Sequence, residues 1–316
     1  MSVSLQSRHI VAIGPNDFDR YFECRQPLIV GSKVVVSKVY EGVGGFVANA
    51  ASVMASLGAK AYLFDCVGND KYGDKIIEDL KNHDVNLEGI ERGEYGNYLV
   101  DIFLSEGDRT CIIHDVKGRH HLSLNEKQQK LLETCDYVYS CFSSLKKLPD
   151  YQNIVTKLLE RDVAFFFDAE RTTFASYDAE KFLFNSSRIL SFNKNAYDHF
   201  IETSGQAAFD HLLEDEHRII LLTNGDKGTT ILIGQKKITC PPLNVNAIDP
   251  SGAGDTFNGA FLYGYSKDWD IERCGHFASV AAARAVTRLG SRSGCATEKE
   301  IWDFEEKYGK NQKEFK

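Results

Sequence analysis

The fold of this 316-residue chain is decided by one stretch, Asp249-Pro250-Ser251-Gly252-Ala253-Gly254-Asp255-Thr256-Phe257-Asn258-Gly259. A proline followed by two glycines predicts a tight loop, and the apolar spacing from Phe257 to Gly264 predicts a helix that begins there. The first amides of a helix lack internal partners and lie at the positive end of its dipole. The amides of Gly252, Ala253 and Gly254 are therefore a candidate anion site.

Asp255 stands in the first turn of this predicted helix, where an acid has two interpretations. Most acids in that position complement the helix dipole. Beside an anion site, the same carboxylate can instead act as a base that takes a proton from a hydroxyl. A capping acid does not need two neighbouring residues without side chains, whereas a phosphate that approaches the backbone does, so the glycines favour the base.

Short β-branched or aromatic runs alternate with helical patterns along most of the chain. This alternation predicts an α/β fold in which helices cover both faces of a parallel sheet, a three-layer parallel-sheet sandwich. Two segments, 28–40 and 97–114, look like strands without a helix between them, and the second turns as a hairpin at 105–108. We expect them to form a small β lid over a site.

Composition excludes several classes of function. Hydrophobic residues make up 43%, charged residues 26%, and the formal net charge is -8, which argues against a nucleic-acid binder. The eight cysteines are scattered without zinc-site spacing, so we interpret them as reduced thiols. The first residues lack the apolar core of a signal peptide, and no apolar run reaches the ~20 residues of a membrane span. These features predict a cytoplasmic protein that binds neither membrane nor nucleic acid.

Four segments, in a fixed order, resemble the ribokinase-like (PfkB) carbohydrate kinases. The pattern D-x-x-G-A-G-D-x-F at 249–257 resembles the family's signature, and Gly44, Gly45 and Asn49 resemble its N-terminal G-G-x-x-x-N-x-A signature. The loop 223–228 resembles its nucleotide loop, and 285–290 resembles the end of its nucleotide-pocket helix. The resemblance spans nearly the whole chain and implies a single ribokinase-like kinase domain at 1–316. The lid is expected at about 20–42 and 96–121.

The resemblance implies a kinase that transfers the γ-phosphoryl group of ATP, with Mg²⁺, to a hydroxyl of a small sugar or sugar derivative. Asp255 would be the base, and the amides of 252–254 would stabilise charge on the transferring group. Two alternatives stay open, namely a nucleoside kinase of the same fold and a non-catalytic sugar-binding relative. Lid strands commonly pair in this family, which implies a homodimer.

The resemblance also assigns ligand-binding residues. Asp17 competes with Asp19 for the acceptor-binding position, and the distance from Gly14 favours Asp19. The acceptor would be bound by Asp19, Gly44, Gly45 and Asn49. The lid residue Arg109 is a further candidate on other grounds, because the charges of the lid stretch face either solvent or an anionic substituent of the substrate. The nucleotide would be bound by Asn193, Thr223, Gly225, Gly228, Ser279 and Ala282.

Two positions depart from the family's pattern. The family often carries N-x-x-E near the metal, but Asn193 is followed three residues later by Ala196. Glu170 and Asp198 are both candidates to replace that glutamate, so the metal ligands stay open. Asp249 is followed by proline where threonine is more frequent, so the presence of a monovalent cation nearby stays open as well.

Overall fold

The computed structural model describes residues 8–94, 96–106, 108–114 and 122–313. Its strands are β1 (His9–Ile13), β2 (Asp17–Cys24), β3 (Val36–Gly44), β4 (Lys60–Gly68), β5 (Ile90–Gly93), β6 (Tyr98–Ser105), β7 (Asp108–Ile113), β8 (Tyr137–Ser140), β9 (Ala164–Asp168), β10 (Ser187–Asn193), β11 (Ile219–Thr223), β12 (Thr229–Ile233) and β13 (Lys236–Cys240). Its helices are α1 (Phe46–Ser56), α2 (Lys71–Asn82), α3 (Glu126–Thr134), α4 (Phe142–Leu145), α5 (Tyr151–Leu159), α6 (Lys181–Ser186), α7 (Lys194–Ser204), α8 (Gln206–Leu213), α9 (Ala253–Ser266), α10 (Ile271–Val286) and α11 (Glu298–Lys313).

The large sheet has nine strands in the order β13-β12-β11-β10-β9-β8-β1-β4-β5. The strands from β11 to β5 pair in parallel, and β12 and β13 add an antiparallel edge. This arrangement confirms the predicted parallel sheet, and β11 and β12 are joined as a hairpin through the loop 223–228. Within the described residues, no helix is long and apolar enough to cross a membrane.

Both faces of the large sheet are buried, and β1 shows how the sequence achieves this. Ile10 and Ala12 lie in a core that includes α1, α9 and α10, whereas Val11 and Ile13 lie in a second core that includes α5, α7 and α8. Successive side chains of a strand point to opposite faces, so an uninterrupted apolar strand fills two cores. The expected three layers are therefore helices, sheet and helices.

A separate four-stranded sheet, in the order β3-β2-β6-β7, forms the lid. The hairpin between β6 and β7 is confirmed, with Ser105 opposite Asp108. The predicted strand at 28–40 is wrong in its first part, because β3 begins only at Val36 and Gly31 takes a positive φ in an exposed turn. The sequence interpretation also missed β2, which pairs with both β3 and β6. Residues 115–121 of the expected lid lie outside the described residues.

Candidate active site

The predicted helix after the glycine turn is present as α9. The two glycines of the turn differ in whether the fold requires glycine at their position. Gly252 has a φ of 74°, and a Cβ there would overlap the carbonyl oxygen of Ser291. Gly254 is exposed, has no positive φ, and a Cβ there would meet no atom within 4 Å. The fold therefore requires glycine at 252, which corrects the interpretation that both glycines serve an approaching phosphate. Only Gly254 is left without a structural reason.

Asp255 lies in the first turn of α9 and is only partly exposed. Its Oδ2 accepts a hydrogen bond of 2.7 Å from Nδ2 of Asn49, which lies on the neighbouring helix α1. Burial raises the pKa of Asp255 to about 7, and the charge of Glu170 adds to the rise, while Asn49, Arg109 and Arg292 oppose it. A carboxylate with such a pKa is a suitable base near neutral pH.

Two further carboxyl groups, those of Asp168 and Glu170, lie at the carboxyl end of β9 and interact electrostatically with Asp255. Burial raises the pKa of Asp168 well above its usual value, and the charges of Glu170 and Asp255 raise it further. Tyr139 donates a hydrogen bond of 3.2 Å to Oδ2 of Asp168. Burial also raises the pKa of Glu170, whose Oε1 accepts a hydrogen bond of 2.8 Å from Nδ2 of Asn193. Neighbouring buried carboxyl groups raise one another's pKa, because the charge of one disfavours ionisation of the next.

On the acceptor side, Asp19 is buried on the lid strand β2 beside Gly44. A Cβ at Gly44 would overlap the carboxylate of Asp19, so this glycine makes room for the acid. Burial raises the pKa of Asp19 to about 6, while a hydrogen bond from Tyr21 and the charges of Arg292 and Arg109 oppose the rise. Arg109 and Arg292 influence Asp255 as well, which links the two acids electrostatically.

Gly45 joins the lid strand β3 to helix α1. Its φ is 92°, and a Cβ there would contact the backbone at Pro15 and Asn16. The glycine pair therefore lets the chain pass directly over the loop that follows β1. This brings Asn49 and Asp19, both predicted acceptor residues, to the same edge of the large sheet, where ligands of open α/β folds bind.

Arg109 reaches from the lid to the glycine turn. It lies on β7, and its Nη1 donates a hydrogen bond of 2.6 Å to Oγ of Ser251, next to Gly252. Its charge also acts on Asp19 and Asp255. The predicted acceptor residue therefore lies at the junction between the lid and the candidate base.

Arg292 is a central residue of the site that sequence reasoning missed. It is buried in the loop after α10, and it donates to Oδ1 of Asn49 at 3.1 Å, Oδ1 of Asn16 at 3.0 Å and the carbonyl oxygen of Gly44 at 2.8 Å. Its Nη1 also pairs with Asp79. No local pattern marks this arginine, because its partners come from four segments far away in sequence.

Four of the predicted nucleotide residues lie at the ends of β10 and β11 or in the turn before β12, and the other two lie on helix α10. Asn193 and Thr223 are register partners at the ends of β10 and β11. Gly225 and Gly228 flank the turn before β12, both with positive φ. Helix α10, which carries Ser279 and Ala282, packs against β12 and β13. The hydroxyl of Ser279 donates to the carbonyl oxygen of Gly275 on the same helix.

The structure distinguishes the two candidates for the missing glutamate. Ala196 is buried in the core, and its amide donates at 2.9 Å to Oδ1 of Asn193, which caps the start of α7. Asp198 pairs with Lys194 on the exposed side of the same helix. Glu170 instead lies beside Asn193 and interacts with Asp255. Across the ranges that the structure describes, no group of three or more His, Cys, Asp or Glu residues is arranged to hold a metal.

The chain is similar to known proteins over nearly its whole length. A family model described as "pfkB family carbohydrate kinase" matches residues 8–299. The chain belongs to this family. Ribokinase from Bacillus subtilis is 25% identical to this pfkB kinase over 307 residues, which cover 93% of this chain and 98% of the relative. As a member of the pfkB family, the protein is a carbohydrate kinase.

Solved structures share the fold of this pfkB kinase. The nucleoside kinase of Methanocaldococcus jannaschii superposes with a TM-score of 0.81 at 22% identity, covering 95% of this chain and 98% of that one. An Escherichia coli relative in complex with ATP and Mg²⁺ superposes with a TM-score of 0.78 at 22% identity, covering 95% and 99%. The large mostly parallel sheet and the four-stranded lid are therefore the ribokinase-like fold.

Proposed function

We propose that this pfkB kinase, acting as one domain, transfers the γ-phosphoryl group of ATP to a hydroxyl of a sugar or sugar derivative. Asp255 takes the proton of the attacking hydroxyl, and the amides of 252–254 stabilise the charge of the transferring group. Asp19, Asn49 and Arg109 bind the acceptor. The observation that carries this proposal is the pair formed by an unobstructed Gly254 and an Asp255 whose pKa is raised to about 7 by burial.

The direct test is formation of ADP by purified protein with Mg-ATP and a panel of acceptors. The panel contains pentoses, hexoses, ketoses, amino-sugar adducts and nucleosides, and each acceptor is also run with Asp255→Asn as background. We expect at least one sugar or sugar derivative to give turnover above that background. If no acceptor in the panel gave ADP above background, phosphotransfer would be refuted. Turnover confined to nucleosides would favour the second candidate, which the name of the Methanocaldococcus jannaschii relative motivates.

ATP is the proposed donor, and Asn193, Thr223, Gly225, Gly228, Ser279 and Ala282 are the proposed nucleotide residues. The position of Asn193 and Thr223 at the ends of β10 and β11, with Gly225 and Gly228 in the turn that follows, supports this assignment. This edge of the sheet continues directly from Glu170 and Asn193, so phosphates bound there would extend toward Asp255. Mg²⁺ bound with ATP would neutralise phosphate charge during transfer. A monovalent cation near Asp249 has less support, since both carboxylate oxygens of Asp249 already accept backbone amides.

The donor set fits Mg²⁺, which prefers oxygen ligands and is commonly held by one or two carboxylates together with substrate phosphates. Glu170 is the proposed carboxylate. It interacts with Asp168 and Asp255, and these three carboxyl groups outnumber the two arginines, Arg109 and Arg292, that act on them. A cation would offset the excess negative charge. The usual family position, occupied by Ala196, lies in the core and cannot supply a ligand.

Glu170→Gln is therefore expected to raise the Mg²⁺ concentration needed for half-maximal activity by about tenfold or more. The amide keeps the shape of the side chain but loses the charge that binds the cation. Mn²⁺ binding in the presence of ADP, followed by electron paramagnetic resonance, gives a second measurement that needs no turnover. Asp198→Asn is the matched control and should change neither value. Equal metal requirements for the wild type and Glu170→Gln would exclude Glu170 as a ligand.

A homodimer through the lid is also proposed. The apolar residues Val36, Val39, Ile112 and Ile113 are exposed on β3 and β7, the two edge strands of the lid sheet. Exposed apolar groups on sheet edges favour pairing with a second copy.

A further inference from the structure

Asn49 is held between a cation and a carboxylate. Its Oδ1 accepts from Nε of Arg292 at 3.1 Å, and its Nδ2 donates to Oδ2 of Asp255 at 2.7 Å. A guanidinium has donors only, so the atom that faces Arg292 must be the amide oxygen. The amide nitrogen is then obliged to face Asp255. Arg292 thereby determines which end of Asn49 meets the candidate base.

The guanidinium itself is fixed from several sides. It pairs with Asp79 of α2, donates to the carbonyl oxygen of Gly44 at the end of β3, and donates to Oδ1 of Asn16. Arg292 is 6% exposed and Asn16 is fully buried. A planar fork with donors in fixed directions can satisfy all of these partners together, whereas a lysine ammonium cannot. Its geometry therefore holds Asn49 by more than charge alone.

Taking Asp255 as the base of the reaction proposed above, we infer that Arg292 is a positioning residue that orients the amide of Asn49 toward Asp255. A donor that faces the carboxylate stabilises its ionised form, the form that accepts the proton of the acceptor. Without Arg292, the amide of Asn49 is free to rotate and to present its oxygen to Asp255. That arrangement would favour the protonated acid, which cannot act as a base.

Other groups also act on Asp255, so they must remain unchanged in the test. Apart from Arg292, they are Arg109 of β7, Tyr139 of β8, Asp168 of β9 and Glu170 after β9. Arg292 differs from them in that its guanidinium donates a hydrogen bond to Asn49. Substitution at Arg292 that keeps a positive charge therefore separates the orientation of the amide from the field of the arginine.

The experiment compares Arg292→Lys, Asn49→Leu and the double variant with the wild type. In the wild type, the acid limb of the kcat/KM profile should lie near pH 7, where burial places the pKa of Asp255. We expect Arg292→Lys and Asn49→Leu each to move this limb upward by about one pH unit, the usual effect of losing a hydrogen bond to a charged group. The double variant should move it no further than Asn49→Leu alone, because Arg292 acts through Asn49.

A second measurement avoids any dependence on turnover. Protein labelled with ¹³C at aspartate carboxyl carbons is titrated by NMR, and the signal of Asp255 is assigned by its absence in Asp255→Asn. The titration midpoint should move with the acid limb. An unmoved midpoint in Arg292→Lys would overturn the positioning role, even if no acceptor were found. A moved midpoint without turnover on any acceptor would leave this role intact and refute the proposed phosphotransfer.

Loss of a buried arginine can also weaken the fold, so a matched control is needed. Arg218 is equally buried, and its guanidinium donates to the carbonyl oxygens of Ser187, Leu212 and Asn185 at the opposite end of β10 and β11. Arg218→Lys should lower the melting temperature without moving the acid limb. A limb that moves equally in both variants would contradict a specific role for Arg292.

Discussion

Asp255→Asn is expected to lower kcat by about 10²- to 10⁴-fold, the usual contribution of a positioned base. Asparagine has the shape of the acid and can still accept a hydrogen bond from Asn49 through its amide oxygen, but it cannot take a proton at neutral pH. The fold around α9 should therefore be preserved while the chemical step is lost. Initial rates with Mg-ATP and the best acceptor give the measurement.

Two control measurements make this outcome interpretable. The melting temperature at low pH should remain close to that of the wild type, because Asp255 is protonated at low pH in both the folded and the unfolded protein. The affinity for ATP should also remain close to that of the wild type. A variant that retained a tenth of the wild-type kcat would show that another group accepts the proton. Asp168 and Glu170 are the nearest candidates, since both interact electrostatically with Asp255.

Gly254→Ala is expected to lower kcat by about 10²-fold while leaving the fold intact. No atom lies within 4 Å of the position where a Cβ would stand, and the backbone has no positive φ there. Alanine in the first turn of a helix should even stabilise the folded state by about 0.5–1 kcal/mol. In the proposed reaction, however, the methyl group would keep the transferring phosphoryl group away from the amides, and losing one such donor costs about 10²- to 10³-fold in kcat.

Gly252→Ala provides the contrast. The backbone of Gly252 lies in the left-handed region, and a Cβ would overlap the carbonyl oxygen of Ser291. This variant should therefore have a lower melting temperature, whatever its effect on kcat. Thermal unfolding and kcat measured side by side separate the two glycines. Wild-type kcat in Gly254→Ala would mean that nothing approaches this part of the backbone during turnover.

Local patterns predicted the parts of the fold that local physics determines. The proline and glycines before Asp255 stop one segment and start α9, and the apolar run of β1 predicted a strand buried on both faces. The lid was harder to predict. Ile29, Val30, Val34 and Val35 are β-branched, but the segment 28–35 is exposed except at Val34 and forms no strand, while the strand that begins at Asp17 mixes acids with aromatic residues. Pairing with β6, about eighty residues later in sequence, decides its conformation.

In the candidate site, too, local patterns predicted some residues, whereas others are identified only by contacts between distant parts of the sequence. Asp19, Asn49 and Asp255 were predicted, because each lies in a short pattern typical of the family, and the structure places them at one edge of the sheet. Arg292 could not be predicted, because its importance arises only from contacts with residues from position 16 to position 79. The choice between Glu170 and Asp198 also required three dimensions, since α7 directs Asp198 toward Lys194 and solvent.

The strand β2 belongs to the lid, yet it carries Asp19, whereas Asp255 belongs to a helix packed on the large sheet. The acid proposed to bind the acceptor and the acid proposed to accept its proton thus belong to different parts of the protein. For protein engineering, we expect this separation to be useful. Libraries confined to β2, β3, β6 and β7 should yield kinases with altered acceptor preference, because the proton-accepting residue and its helix stay untouched.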